Sequence, residues 1–119
     1  MIHSTVIGIG LNVNQDQFAN PRATSLALLT GHYWEREKVM LSLLKNLERR
    51  VEQLVAGAID TLKKEYLNRM FWRGELHRFT DQDGDFYGTI VGIDEQGRLA
   101  IEVDRQIRHY DNKELVYRF

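Results

Sequence analysis

Between Thr5 and Asn14 the side chains alternate, with Thr5, Ile7, Ile9, Leu11 and Val13 on one side and Val6, Gly8, Gly10, Asn12 and Asn14 on the other. A period of two is that of a β-strand, so residues 5–14 are expected to form a strand with one greasy face and one nearly bare face. Asn20-Pro21 and then Ala23-Thr24-Ser25-Leu26-Ala27-Leu28-Leu29 and Gly31 predict a loop followed by one or two helical turns stopped at glycine. From Trp34 to about Val55 the period becomes helical: Val39, Met40, Leu43, Leu44, Leu47, Val51, Leu54 and Val55 recur every three or four positions, with charged residues largely between them. An apolar stripe of that length is expected to dock on something. Gly57 ends or kinks this helix, and Ile59, Leu62, Tyr66, Leu67 and Met70 continue the helical spacing towards Gly74.

Beyond Gly74 the pattern alternates again, punctuated by turn signals at Asp83-Gly84, Asp94-Glu95-Gln96-Gly97 and Asp104-Arg105-Gln106. Strands are expected around Leu76, over 86–93, 99–103 and 107–109, and at Leu115-Tyr117-Phe119. About five short strands in such a span suit a small antiparallel barrel of the SH3-like kind. The fold class read from the pattern is α+β. One strand and helices fill residues 1–72, the helices over about 34–70, and the small β domain fills 73–119.

Composition narrows the function. A chain of 119 residues bounds it to one domain or two very small ones. Its 43% hydrophobic and 28% charged residues are those of a globular protein. With 16 basic against 17 acidic residues there is no bulk attraction to nucleic acid or to an anionic membrane surface. The absence of cysteine removes disulfides and thiolate chemistry and fits a reducing compartment, so the cytoplasm is the expected location. His3, His32, His77 and His109 have no metal-ligand spacing, and no metal site is expected. Lys63-Lys64 and Arg49-Arg50 read as solvated helix faces, and Phe71-Trp72-Arg73 as an aromatic plug where helix gives way to sheet.

The bare face of the first strand is the chemically informative feature. Glycines at 8 and 10 let something approach the backbone closely, either a neighbouring strand or a ligand. Asn12 on the same face carries a donor and an acceptor in one plane, the pattern that pairs with the N6 and N7 edge of adenine, although an asparagine there also caps turns. A dinucleotide fingerprint is excluded, because its third glycine would fall at Val13. Tyr33 and Trp34 read as core or staple aromatics at a helix start, with a lid over adenine as the other reading.

The string Val6-Ile7-Gly8-Ile9-Gly10-Leu11-Asn12-Val13-Asn14, then Ala23-Thr24-Ser25-Leu26, a leucine-rich helix and a small β domain together resemble the biotin protein ligases over essentially the whole chain. The resemblance implies a strand lining the site where biotin and ATP, with Mg2+, become biotinyl-5'-adenylate. It implies that Asn12 contacts the adenine beside Gly8 and Gly10, and that Thr24 and Ser25 lie near the same nucleotide. It also implies an SH3-like C-terminal domain that helps in ATP use and in docking the biotin carrier domain of a carboxylase. The family's arginine- and glycine-rich biotin loop and its Lys-Trp-Pro-Asn-Asp segment with the catalytic lysine occur nowhere in these residues. The chain is therefore expected to be the C-terminal part of such a ligase. It is not expected to bind ATP or biotin or to act alone, and it is expected to self-associate through its unpaired apolar strand. The competing expectation is a self-standing, non-catalytic interaction module whose barrel binds a protein segment.

Overall fold

The computed structural model describes residues 4–119. They form two compact units, one reaching Val55 and the other running from Ala56 to Phe119. The division falls between the second and third helices. Gly57, with φ 80°, breaks the chain there, and the helix that follows belongs to the sheet unit.

In the first unit, helix α1 (Leu26–Thr30) starts where Ser25 accepts from the Leu28 amide and stops where Gly31 turns left-handed at φ 73°. The Gly31 amide then satisfies the Ala27 carbonyl at 2.8 Å, as a glycine C-cap does. Helix α2 (Arg36–Val55) follows the expected stripe, yet none of its residues is buried, and Met40, Leu44 and Leu54 each remain about half exposed. Its apolar face is not covered by the described residues. Residues 5–14, expected as a strand, form no ladder, and Val6, Ile7, Ile9 and Leu11 are exposed. Alternation supplies a face, but a strand also needs a partner to pair its backbone groups, and none of the described residues provides one.

The second unit opens with α3 (Ile59–Asn68) and continues as strands β1 (Leu76–Asp81), β2 (Gly84–Ile93), β3 (Leu99–Val103), β4 (Gln106–Tyr110) and β5 (Val116–Arg118). All pairings are antiparallel and the order is β4-β3-β2-β1-β5. This is the strand set and sense expected of an SH3-like domain. The hydrogen-bonded order is open, with β4 and β5 at its edges, so no ladder closes it into a barrel among the described residues.

The turns follow from sequence. Asp94 accepts from the amides of Gln96 and Arg98 and from the Arg98 side chain, tying the β2–β3 turn to one carboxylate. Asp104 and Arg105 both take positive φ, 51° and 64°, the two-residue turn whose twist matches an antiparallel hairpin. Phe79, Ile90 and Ile101 are fully buried, with Val103 and Tyr110 around them. Trp72 stacks on His77 with ring centroids 3.7 Å apart and meets Phe79 edge-on, making the expected aromatic plug part of the sheet's cover. No helix of the described residues is long and apolar enough to cross a membrane.

Candidate functional site

The residues singled out in the first unit meet through backbone and side-chain hydrogen bonds. The Asn12 carbonyl accepts from the Leu26 amide at 3.1 Å and the Val13 carbonyl from the Ala27 amide at 2.9 Å. These bonds lay the Gly-Ile-Gly-Leu-Asn-Val string against the start of α1. The Asn12 side chain donates from Nδ2 to the Thr24 carbonyl at 3.2 Å. Its Oδ1 and second N–H stay open, because an amide nitrogen carries two donors and only one is spent. That single bond orients the carboxamide plane.

Ser25 is only 2% exposed and its Oγ accepts from the Leu28 amide at 3.2 Å, so its hydroxyl is occupied in starting α1. Thr24 contributes its carbonyl rather than its side chain to Asn12. A Cβ added at Gly8 or Gly10 would meet nothing within 4 Å, so no described residue fills the space those glycines leave. Close packing against a neighbouring strand is not what these two glycines serve within the described residues.

A depression of about 300 Å3 adjoins Asn12, lined by Leu11, Asn12, Val13, Asn14, Gln15, Tyr33 and Arg36. Gly8, Gly10, Thr24 and Ser25 lie outside its lining. Tyr33, expected in core or staple or else as a lid over adenine, belongs to it, as does Arg36, which no pattern in the sequence marks. Asn14 explains the difference. Its Nδ2 donates to the Trp34 carbonyl at 2.8 Å, and its Oδ1 accepts from the Trp34 amide at 2.9 Å. The only signal in the sequence was a second asparagine on the bare face.

In the sheet unit Arg78, Arg98, Arg108 and Arg118 are engaged internally. Arg108 lies 3.7 Å from Asp81 and 5.1 Å over the Phe86 ring. Arg118 donates to Thr80 Oγ1 at 2.6 Å and sits 4.0 Å from Asp85, which also accepts from Thr80 and Arg78. The Tyr110 hydroxyl, the Asp83 amide and Arg108 hold the Asp81 carboxyl below the usual carboxylate range against the effect of its burial. Burial and the hydrogen bond to Asp81 push the Tyr110 phenol up. These groups brace the sheet. No group of three or more metal-ligating side chains is present among the described residues.

The described residues thus combine an asparagine-bearing segment seated on a short helix, a long helix and a five-stranded antiparallel sheet. Residues 78–111 match the family model described as the biotin protein ligase C terminal domain. The chain is 31% identical over 112 residues to the bifunctional ligase/repressor BirA of Bacillus spizizenii and 30% identical to that of Bacillus subtilis. In each case the match covers 90% of this chain and 34% of the relative, so the chain spans about a third of the length of those proteins. Among solved structures it is similar to the apo biotin protein ligase of Aquifex aeolicus, with TM-score 0.71, 27% identity, and coverage of 90% of this chain and 49% of that one. It is also similar to that enzyme in complex with biotin and ATP, with TM-score 0.70, 27% identity, and 90% and 47% coverage. The chain is thus similar to the C-terminal portion of biotin protein ligases.

Proposed function

We propose that these residues are the C-terminal portion of an ATP-dependent ligase that activates biotin as biotinyl-5'-adenylate and transfers it to a lysine of a carboxylase carrier domain. In the first step a biotin carboxylate oxygen bonds to the α-phosphorus of ATP and pyrophosphate leaves. In the second, the lysine amine bonds to the biotinyl carbonyl carbon, losing a proton, and AMP leaves. This portion contributes the adenine side of the nucleotide site. Asn12, oriented by the Thr24 carbonyl, presents Oδ1 to the adenine amino group and its second N–H to N7. Gly8 and Gly10 leave the space beside it, and Ser25 fixes the turn that carries Thr24.

The observation that carries the reading is the Asn12 carboxamide held open-handed against the start of α1, in a chain similar to biotin protein ligases. Among the described residues there is no cluster of three or more His or carboxylate side chains for Mg2+, so no step is assigned to the ion here. The sheet unit is read as the part that helps in ATP use and meets the carrier, with Arg105 and Lys113 among its basic residues for which no carboxylate of the described residues lies within ion-pair distance. A cytoplasmic ligase fits the cysteine-free composition. Biotin binding, the lysine chemistry and carrier transfer require the remainder of a full-length ligase, so this portion alone binds neither substrate productively. The exposed apolar stretch from Val6 to Leu11 favours self-association of the isolated chain.

The test is Asn12→Ala in the full ligase chain. Loss of two hydrogen bonds to the base is expected to raise the KM for ATP by about tenfold or more while the KM for biotin stays within twofold. An unchanged KM for ATP, or a change confined to biotin, refutes the adenine assignment.

A further inference from the structure

The depression beside Asn12 is built from two stretches of chain, residues 11–15 and the pair Tyr33 and Arg36. Asn14 joins them. It spends both functions of one carboxamide on the backbone of Trp34, at 2.8 and 2.9 Å, closing a ring across 20 positions of sequence. No other uncharged side chain of that length offers a donor and an acceptor in one plane. Trp34 is secured from its other side as well. Its indole Nε1 donates to Thr30 Oγ1 at 2.8 Å and its ring lies against His32, centroids 4.5 Å apart.

With Trp34 anchored, its neighbours are left for other work. Tyr33 is 75% exposed and lines the depression. Arg36 opens α2, where the partial positive charge of the helix terminus disfavours a cation, so helix stability does not account for it. The adjacent carboxylate, Glu35, is taken by Lys38 at 2.8 Å, and no carboxylate of the described residues pairs with Arg36. An uncompensated guanidinium facing a cleft is suited to an anion, above all to phosphate oxygens that match its fork. At about 300 Å3 the depression is at the lower end of small-molecule pockets, room for a base and sugar with the phosphates at its edge.

We propose that Tyr33 and Arg36 form a second wall of the nucleotide site, Tyr33 against the ring and Arg36 on the phosphates, with Asn14 as the positioning residue that holds them opposite Asn12. The assignment rests on the nucleotide reading of Asn12. The two fail separately. The experiment measures, in the full ligase chain, the KM for ATP and the inhibition constant of adenosine, which has the base and sugar but no phosphate.

Arg36→Gln is expected to raise the KM for ATP about tenfold while adenosine inhibition stays within twofold, the mark of a contact to charge. Asn14→Ala is expected to weaken both ATP and adenosine with kcat within twofold, and Asn14→Gln, which keeps both functions on a longer arm, to recover part of the loss. A merely structural Asn14 would lower kcat and the folded fraction together, and that result overturns its positioning role. Equal losses for ATP and adenosine in Arg36→Gln overturn the phosphate assignment. If Asn12→Ala weakens ATP while Arg36→Gln and Asn14→Ala leave it within twofold, the second wall is wrong and the adenine wall stands. If Asn12→Ala changes neither ligand, the nucleotide reading itself fails.

Discussion

At Gly88, in the middle of β2, the sheet has no room for even one carbon more. A Cβ there would stand 2.6 Å from Ile101 Cγ2 and 3.1 Å from both the Glu102 carbonyl oxygen and Val103 Cγ2. Ile101 is fully buried within the cluster of Phe79 and Ile90, so its methyl cannot swing aside without displacing them, and the Glu102 oxygen belongs to the backbone of the paired strand. Overpacking of this kind costs about 1–3 kcal/mol, and the backbone contact puts Gly88→Ala towards the upper end. A unit of this size is worth only about 3–10 kcal/mol in all. With a urea slope of about 1 kcal/mol/M, the unfolding midpoint is expected to fall by about 2–3 M. Trp72 packs within the sheet unit and reports on it, and a Trp34→Phe background removes the other indole signal. A midpoint that moves by less than about 0.3 M would show that the sheet relaxes around the added methyl and that the space argument is wrong.

Ser25→Ala removes the α1 cap and leaves the Leu28 amide without its acceptor, which is expected to cost about 1 kcal/mol. The same change is expected to weaken ATP binding indirectly through Thr24, and Ser25→Thr, which keeps the acceptor, is expected to restore most of both, read by urea melts and ATP KM. The sheet unit is expected to lose stability at both ends of the pH scale. Asp81, held down chiefly by the Tyr110 hydroxyl, and Asp85, held down by Thr80 and then Arg78, have folded pKa values below their unfolded ones. Their contribution is complete above about pH 4 and lost as pH falls through the folded values. Tyr110 is shifted upwards, so its contribution is complete below about pH 10 and lost as pH rises through its folded value. Urea midpoints across pH should show both limbs, Asp81→Asn should shallow the acid limb, and an acid limb unchanged in that variant would contradict the linkage.

The elements whose causes are local were legible in the sequence. Gly31 and Gly57 mark helix ends, both with positive φ, and the Asp94 and Asp104-Arg105 turns delimit strands where their residue types demand it. Features that depend on partners far along the chain were not. The Thr5–Val13 alternation is a real pattern, but pairing is a property of two segments and only one is present in the described residues. The contact of α3 with the sheet was not legible either, its Leu67 Cδ2 lying 3.4 Å from where a Cβ on Gly92 would stand. In the candidate site, Asn12 was legible as a flat donor–acceptor group, but its bond to the Thr24 carbonyl was not. The clamp from Asn14 to Trp34 was not, since a side chain bonding backbone 20 positions away leaves no periodicity to detect.

The sheet order carries a consequence for how this unit assembles. Strands β1 to β4 pair with their neighbours in sequence, so each hairpin needs only a short loop to close before it gains its ladder. The exception is β5, which returns to β1, with Arg118 reaching Thr80 across 38 positions. That ladder closes a much longer loop than the hairpins do, and it holds only three pairs once made. Within this unit β1 to β4 form a meander of local pairings, and β5 is the latch that engages last and frays first.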